Sequence, residues 1–166
     1  MSQKRVLILM GSDSDLAAME EVGKALATFQ VQFEMHIASA HRTPDKVSGL
    51  ARDARDRGFG VIVAGAGLAA HLAGVAAAHT TLPVIAVPLA SGALNGVDAL
   101  LSVVQMPRGI PVGTVAIGAT GAYNAGLLAA SILSVADPAL ADRLDRYRQD
   151  MARAVEEKDA ALQRRG

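Results

Sequence analysis

The chain predicts an α/β fold, a parallel sheet of about five strands covered by helices on both faces. Three observations predict it. Short apolar runs alternate with amphipathic stretches along the chain. The first run, Val6 to Met10, holds no polar residue, as in strands buried on both faces. The segments between runs carry Gly, Ser, Asp, Thr and Pro where helices would start.

The elements follow in order. Val6 to Met10 is the first strand. Leu16 to Phe29 has helical spacing through Leu16, Met19, Val22, Leu26 and Phe29. Gln32 to Ala38 is the second strand. Pro44 to Arg57 is an amphipathic helix, with Thr43 as N-cap and Pro44 in the first helical position. Gly60 to Ala64 is the third strand and Ala69 to His79 a helix of small residues. Val84 to Val87 is the fourth strand, Val97 to Val104 a short helix, Thr114 to Ile117 the fifth strand and Tyr123 to Val135 a helix. Asp137-Pro138 starts a last helix running to about Gln163, whose apolar stripe is Leu140, Leu144, Tyr147, Met151 and Val155. That stripe must be buried, on the chain itself or, as favoured here, on a neighbouring subunit. We expect one domain over 1–166, with its core at about 5–136 and the terminal helix at about 137–163.

Composition narrows the function. Lys+Arg number 16 and Asp+Glu 16, so no charge imbalance points to nucleic acid or a membrane surface. Cys is 0, which leaves disulfides out and any zinc to His and carboxylates. No two His share chelating spacing, so no metal is expected. The N-terminus, Met1 to Arg5, leads into an apolar run too short for a signal segment, and a cytoplasmic protein is expected. Hydrophobic residues make up 51% but aromatics only 3%, so Ala, Val, Leu, Ile and Gly must build the core. From Gly58 to Val97 there is no Asp, Glu, Lys or Arg. Either a deeply buried central sheet or an extensive homo-oligomeric interface accounts for that stretch, and the interface is favoured.

Three loops carry the candidate chemistry. Gly11-Ser12-Asp13-Ser14-Asp15 follows the first strand. Ser12, Ser14 and the backbone amides there can hold a phosphate, and Asp15 can accept from a ribose hydroxyl, although Ser and Asp also simply cap helices. Ser39-Ala40-His41-Arg42-Thr43-Pro44 follows the second strand. Arg42 can grip a phosphate with two parallel hydrogen bonds and His41 can move a proton near neutral pH. Gly65-Ala66-Gly67-Leu68-Ala69-Ala70-His71 follows the third strand and matches a loose dinucleotide fingerprint. No acid follows until Asp98, so a dinucleotide is rejected. The glycines instead admit a flat ligand, and His71 either touches it or is an interface histidine. In a parallel sheet all three loops reach the same edge. Together they fit a phosphoribosylated heterocycle and acid–base chemistry.

These motifs, with Ala69-Ala70-His71-Leu72, Ser102-Val103-Val104-Gln105-Met106-Pro107 and Gly109-Ile110-Pro111-Val112, resemble the class I PurE family over roughly Val6 to Leu133. The resemblance implies a flavodoxin-like three-layer α/β/α sandwich assembled as an octamer. It implies transfer of a carboxylate from N5 to C4 of an aminoimidazole ribonucleotide in purine (IMP) biosynthesis, with no metal, nucleotide or biotin cofactor. It makes His41 the catalytic residue, which takes the C4 proton. Ser12, Asp15 and Arg42 match ribonucleotide-binding positions; Ser39, Ala66, Gly67 and His71 match the ring and CO2 pocket. Ser14 and Leu72, in the same motifs, complete the set of substrate contacts. Leu68 stands where the family usually has Gly and Ala73 where it usually has Pro, which leaves pocket shape and rate open. Two rival readings remain: a class II carboxylase using free CO2, and a non-catalytic sensor of a phosphoribosyl ligand.

Overall fold

The computed structural model describes residues 4–164; the expected lead-in at Met1 to Gln3 lies outside them. Five strands form one parallel sheet: β1 (Arg5–Met10), β2 (Phe33–Ile37), β3 (Phe59–Gly67), β4 (Val84–Leu89) and β5 (Gly113–Thr114), in the order β2-β1-β3-β4-β5. This is the flavodoxin order expected from the resemblance, with its switch point between β1 and β3.

Side chains alternate across the central strands, as the pleat requires. Val6, Ile8 and Met10 of β1 pack with Val61 and Val63 of β3 and Ile85 and Val87 of β4 on one face. That face is covered by α1 (Leu16–Thr28) and α5 (Gly118–Ser134). Leu7 and Leu9, with Ile62 and Ala64, face the other layer, which comprises α2 (Pro44–Asp53), α3 (Leu72–Ala78) and α4 (Val97–Val104). Small residues set the layer spacing. A methyl on Gly126 of α5 would sit 2.7 Å from Ala25 Cβ and 2.8 Å from the Val22 carbonyl oxygen of α1. The low aromatic content thus buys close approach of helices rather than bulky filling.

The last helix, α6 (Pro138–Gln163), starts at Asp137, whose carboxylate accepts from the Leu140 N–H at 3.1 Å. Its apolar stripe divides. Leu140 is buried, and Leu144 and Tyr147 pack on the α1/α5 side, where Tyr147 meets the Phe29 ring edge-on. Met151 and Val155 stay exposed. The first half of the stripe therefore docks on its own chain, which corrects the preference for a neighbour over that half. Among the described residues no helix is long and apolar enough to cross a membrane.

Several boundaries differ from expectation. β3 runs on through Gly65, Ala66 and Gly67, paired with Val87, Pro88 and Leu89. α3 consequently starts at Leu72 and not at Ala69. α2 ends at Asp53 and not at Arg57, since Gly58 takes φ +86° to turn the chain into β3. β5 has two residues, and α5 begins at Gly118 and not at Tyr123. The uncharged stretch is largely β3, α3 and β4, all deeply buried, so the central sheet accounts for most of it. Leu94, Val97, Leu101 and Val104 are its exposed remainder and extension.

Candidate active site

The switch point puts the loops after β2, β1 and β3 side by side at the carboxyl ends of the strands. They enclose a cavity of about 530 Å³ lined by every site residue anticipated from the sequence: Ser12, Ser14, Asp15, Ser39, His41, Arg42, Ala66, Gly67, His71 and Leu72. Ser91, from the loop after β4, also lines it and was not foreseen. A methyl on Gly67 would collide with Ser91 Oγ, so the two loops lie in direct contact. A larger groove of about 840 Å³ includes Arg52, Arg55 and His79. It adjoins the amino end of β4, the edge that open α/β sheets do not use for ligands.

The β1 loop begins with one 3-10 turn, Asp13–Asp15. Asp15 is nearly buried, and its carboxylate accepts from the Ser12 N–H at 3.0 Å. Ser12 Oγ donates to Asp13 Oδ1 at 2.9 Å and remains at the surface. Burial pushes the Asp15 carboxyl above its ordinary range, against the opposing pull of the Ser12 and Gly11 amides and the Arg42 charge. Such a desolvated acid in a cleft is an acceptor held ready for a hydroxyl donor.

The β2 loop is fastened from within. The Ser39 N–H donates to Thr43 Oγ1 at 2.9 Å, and that hydroxyl donates back to the Ser39 carbonyl at 3.2 Å. Thr43 precedes α2 as expected, but its side chain makes no cap hydrogen bond, because it is spent on Ser39. Ser39 Oγ in turn accepts from the Arg42 N–H at 3.2 Å. Arg42 reaches across to the first loop, where Nη2 donates to the Gly11 carbonyl at 2.9 Å. One guanidinium thus ties two loops and keeps further N–H groups for an anion.

The β3 loop supplies the partner for His41. His41 Nε2 lies 2.8 Å from His71 Nδ1, with the two rings edge to face at 4.9 Å between centroids. The pair spans 30 residues of chain, and no local spacing announces it. His71 is therefore neither isolated nor merely a wall residue; it holds the tip of the His41 ring. Either nitrogen can carry the shared proton, so the pair can store or release one without losing its contact. His36 and His79 lie outside the cavity.

A carboxylate, a guanidinium and an imidazole pair around a glycine-floored crevice at the switch point of a parallel sheet are groups that can hold a phosphorylated small molecule and move protons on it. The chain belongs to the AIR carboxylase family, whose model matches residues 5–154. It is 57% identical over 149 residues to a Pyrococcus abyssi protein named N5-carboxyaminoimidazole ribonucleotide mutase, covering 90% of this chain and 84% of that one. A Bacillus subtilis protein of the same name is 53% identical over 160 residues, covering 96% and 99%. The crystal structure of Treponema denticola PurE superposes with a TM-score of 0.86 at 33% identity, covering 96% of this chain and 98% of that one.

Replacing Asp15 by Asn tests the acceptor role. The raised carboxyl titration means that ionised Asp15 is less favourable in the folded than in the unfolded chain. Its cost to stability is full at neutral pH and fades as pH falls through the folded titration range towards the ordinary carboxylate value. Asp15→Asn should melt higher than wild type at pH 7, with the gap closing in acid, while ribonucleotide binding weakens. A wild-type melting point equal to or above that of the variant at pH 7 would contradict this.

Proposed function

We propose that this protein moves the carboxylate of N5-carboxyaminoimidazole ribonucleotide from N5 to C4, giving 4-carboxy-5-aminoimidazole ribonucleotide on the route to IMP. The observation that carries the reading is the contact of His41 with His71 beside Arg42, in the cleft of a chain more than half identical to proteins named for this reaction. Arg42, Ser12 and Ser14 hold the phosphate, and Asp15 accepts from the ribose. Ser39, Ala66, Gly67, His71 and Leu72 surround the ring and the CO2.

The proton steps suit a single imidazole. The N5–carboxylate bond breaks, its electron pair stays on N5, and protonated His41 gives N5 a proton as CO2 forms. C4 of the electron-rich ring then attacks the retained CO2. Neutral His41 removes the C4 proton and regains the state in which it began. A small-residue cavity disfavours water and so favours the neutral ring and CO2 over their charged precursors. His71, in contact with His41 Nε2, orients the ring.

The test is a pair of assays on purified protein. One holds the N5-carboxylated ribonucleotide without added bicarbonate; the other holds aminoimidazole ribonucleotide with CO2. Efficient product formation in the first alone supports the mutase. Turnover in the second would make the protein a direct carboxylase, and tight binding without turnover would make it a ligand sensor.

The assembly proposed with this activity is a cytoplasmic homo-octamer of one-domain chains, without nucleic-acid or membrane partners. The exposed Leu94, Val97, Leu101 and Val104 support an interface. Light scattering should give a mass eight times that of the chain; a stable monomer would refute it.

A further inference from the structure

Leu68 is the anomaly in the cleft. It is one of three described non-glycine residues with positive φ, at +54°, a conformation unfavourable for a γ-branched side chain. It is 55% exposed, although it is a large aliphatic residue on the cavity wall. Strain of this kind persists where the surroundings enforce it, and it concentrates at functional sites.

The loop after β4 packs directly against this segment. Gly67, immediately before, admits no methyl because Ser91 Oγ occupies the space. A methyl on Gly92, at φ +68°, would sit 2.7 Å from Leu68 Cδ2, so the tip of Leu68 would have to move aside for it. The loops after β3 and β4 thus interlock, with two glycines cut away and the Leu68 side chain laid across the gap. Its backbone follows the last paired residue of β3 and comes three residues before His71.

We propose that Leu68 is the specificity-determining side chain that closes the reacting pocket against solvent, so that the carboxylate ending on C4 is the one that left N5. The proposal rests on the mutase reading. Between cleavage and recapture the carboxylate exists as free CO2, and nothing covalent returns it to C4. Only the walls decide whether it attacks the ring or exchanges with CO2 from solution. An apolar side chain over the mouth sheds water and narrows the exit. In the free protein it is exposed at the opening, and bound ribonucleotide would cover it.

The experiment follows the label. Substrate carrying a 13C carboxylate is turned over in buffer with unlabelled CO2, and the unlabelled share of the C4-carboxylated product is measured in the initial rate. Leu68→Gly removes both side chain and strain. Leu68→Ala removes the side chain and keeps the strained backbone. Both should raise the unlabelled share by about threefold or more, and Leu68→Met should restore it towards wild type. Leu68→Gly should also melt no lower than wild type, since glycine adopts this φ freely. Turnover with an unlabelled share unchanged in both Gly and Ala variants overturns the proposal. A change of oligomeric mass with an unchanged share overturns it too, and makes Leu68 a subunit contact. A rise in the Gly variant alone assigns the effect to backbone freedom and likewise overturns it. Absence of turnover in wild type is a different failure, that of the mutase reading itself.

Discussion

His41→Asn should lower turnover by about a thousandfold, near the middle of the range for loss of a positioned acid–base group. Substrate binding should change little. Asparagine stops at the level of the ring's Nδ1 and falls short of His71, but the loop keeps its shape because Ser39, Thr43 and Arg42 fasten it without the His41 side chain. What asparagine lacks is a titratable nitrogen. The reaction needs one group to give a proton at N5 and take one at C4, and an amide does neither. Because His41 is exposed in the free protein, the variant should melt within about 0.5 kcal/mol of wild type. Saturating product should still raise its melting temperature, which separates lost chemistry from lost binding. His71→Asn should fall between the two proteins in rate, since His71 acts through the His41 ring. A His41→Asn rate within tenfold of wild type would move the proton transfer to His71 or to water.

The sheet is legible because its central strands leave continuous apolar runs in the sequence. Val6 to Met10 has no polar residue and Gly58 to Val97 no charge, which is what a doubly covered parallel strand requires. The positions of the loops followed from parallel topology, and every site residue named from them lines the cavity. Contacts between loops were not legible. Arg42 to Gly11 and His41 to His71 each join residues about 30 apart, and only the β2-β1-β3 order brings them together. Ser91 carries no motif of its own, because its place in the site comes from its contact with Gly67 across two loops. Pattern places Thr43 before α2 but does not specify its bond, because Ser and Thr hydroxyls serve loop carbonyls as readily as helix amides. Small-residue runs carry the least signal. Gly65 to Gly67 and Gly118 to Gly121 carry no apolar period, so neither the end of β3 nor the start of α5 could be read from pattern.

Gly121 shows what such a run specifies instead. Gly121→Ala should destabilise the fold by about 3 kcal/mol or more, among the largest losses that a single added methyl can cause. Intrinsic propensity argues the other way, since alanine is favoured over glycine inside a helix by about 1 kcal/mol. Packing overrides it here. The chain leaves β5 and turns into α5 at Gly118, which takes φ +77°. That turn folds residues 115–117 back against the first turns of α5. A Cβ on Gly121 would overlap the Ala116 carbonyl oxygen and lie 2.5 Å from its carbon. Both are backbone atoms, so no rotamer change relieves the collision. The nearby Val115 N–H is already committed to the Ala86 carbonyl of β4 at 3.1 Å, which anchors the segment that would have to move. Gly121 is itself buried, against a layer that includes the fully buried Ala122 and Ala125. Thermal unfolding would read the loss as a fall of about 6–12 °C, from the ratio expected for a domain of this length. Gly49→Ala is the control: it sits in a helix with nothing within 4 Å of the added methyl, and it should be neutral or stabilising. Equal melting points for the two alanine variants would mean that α5 can shift by the width of a methyl group, and that the tight passage from β5 is not what fixes its first turns.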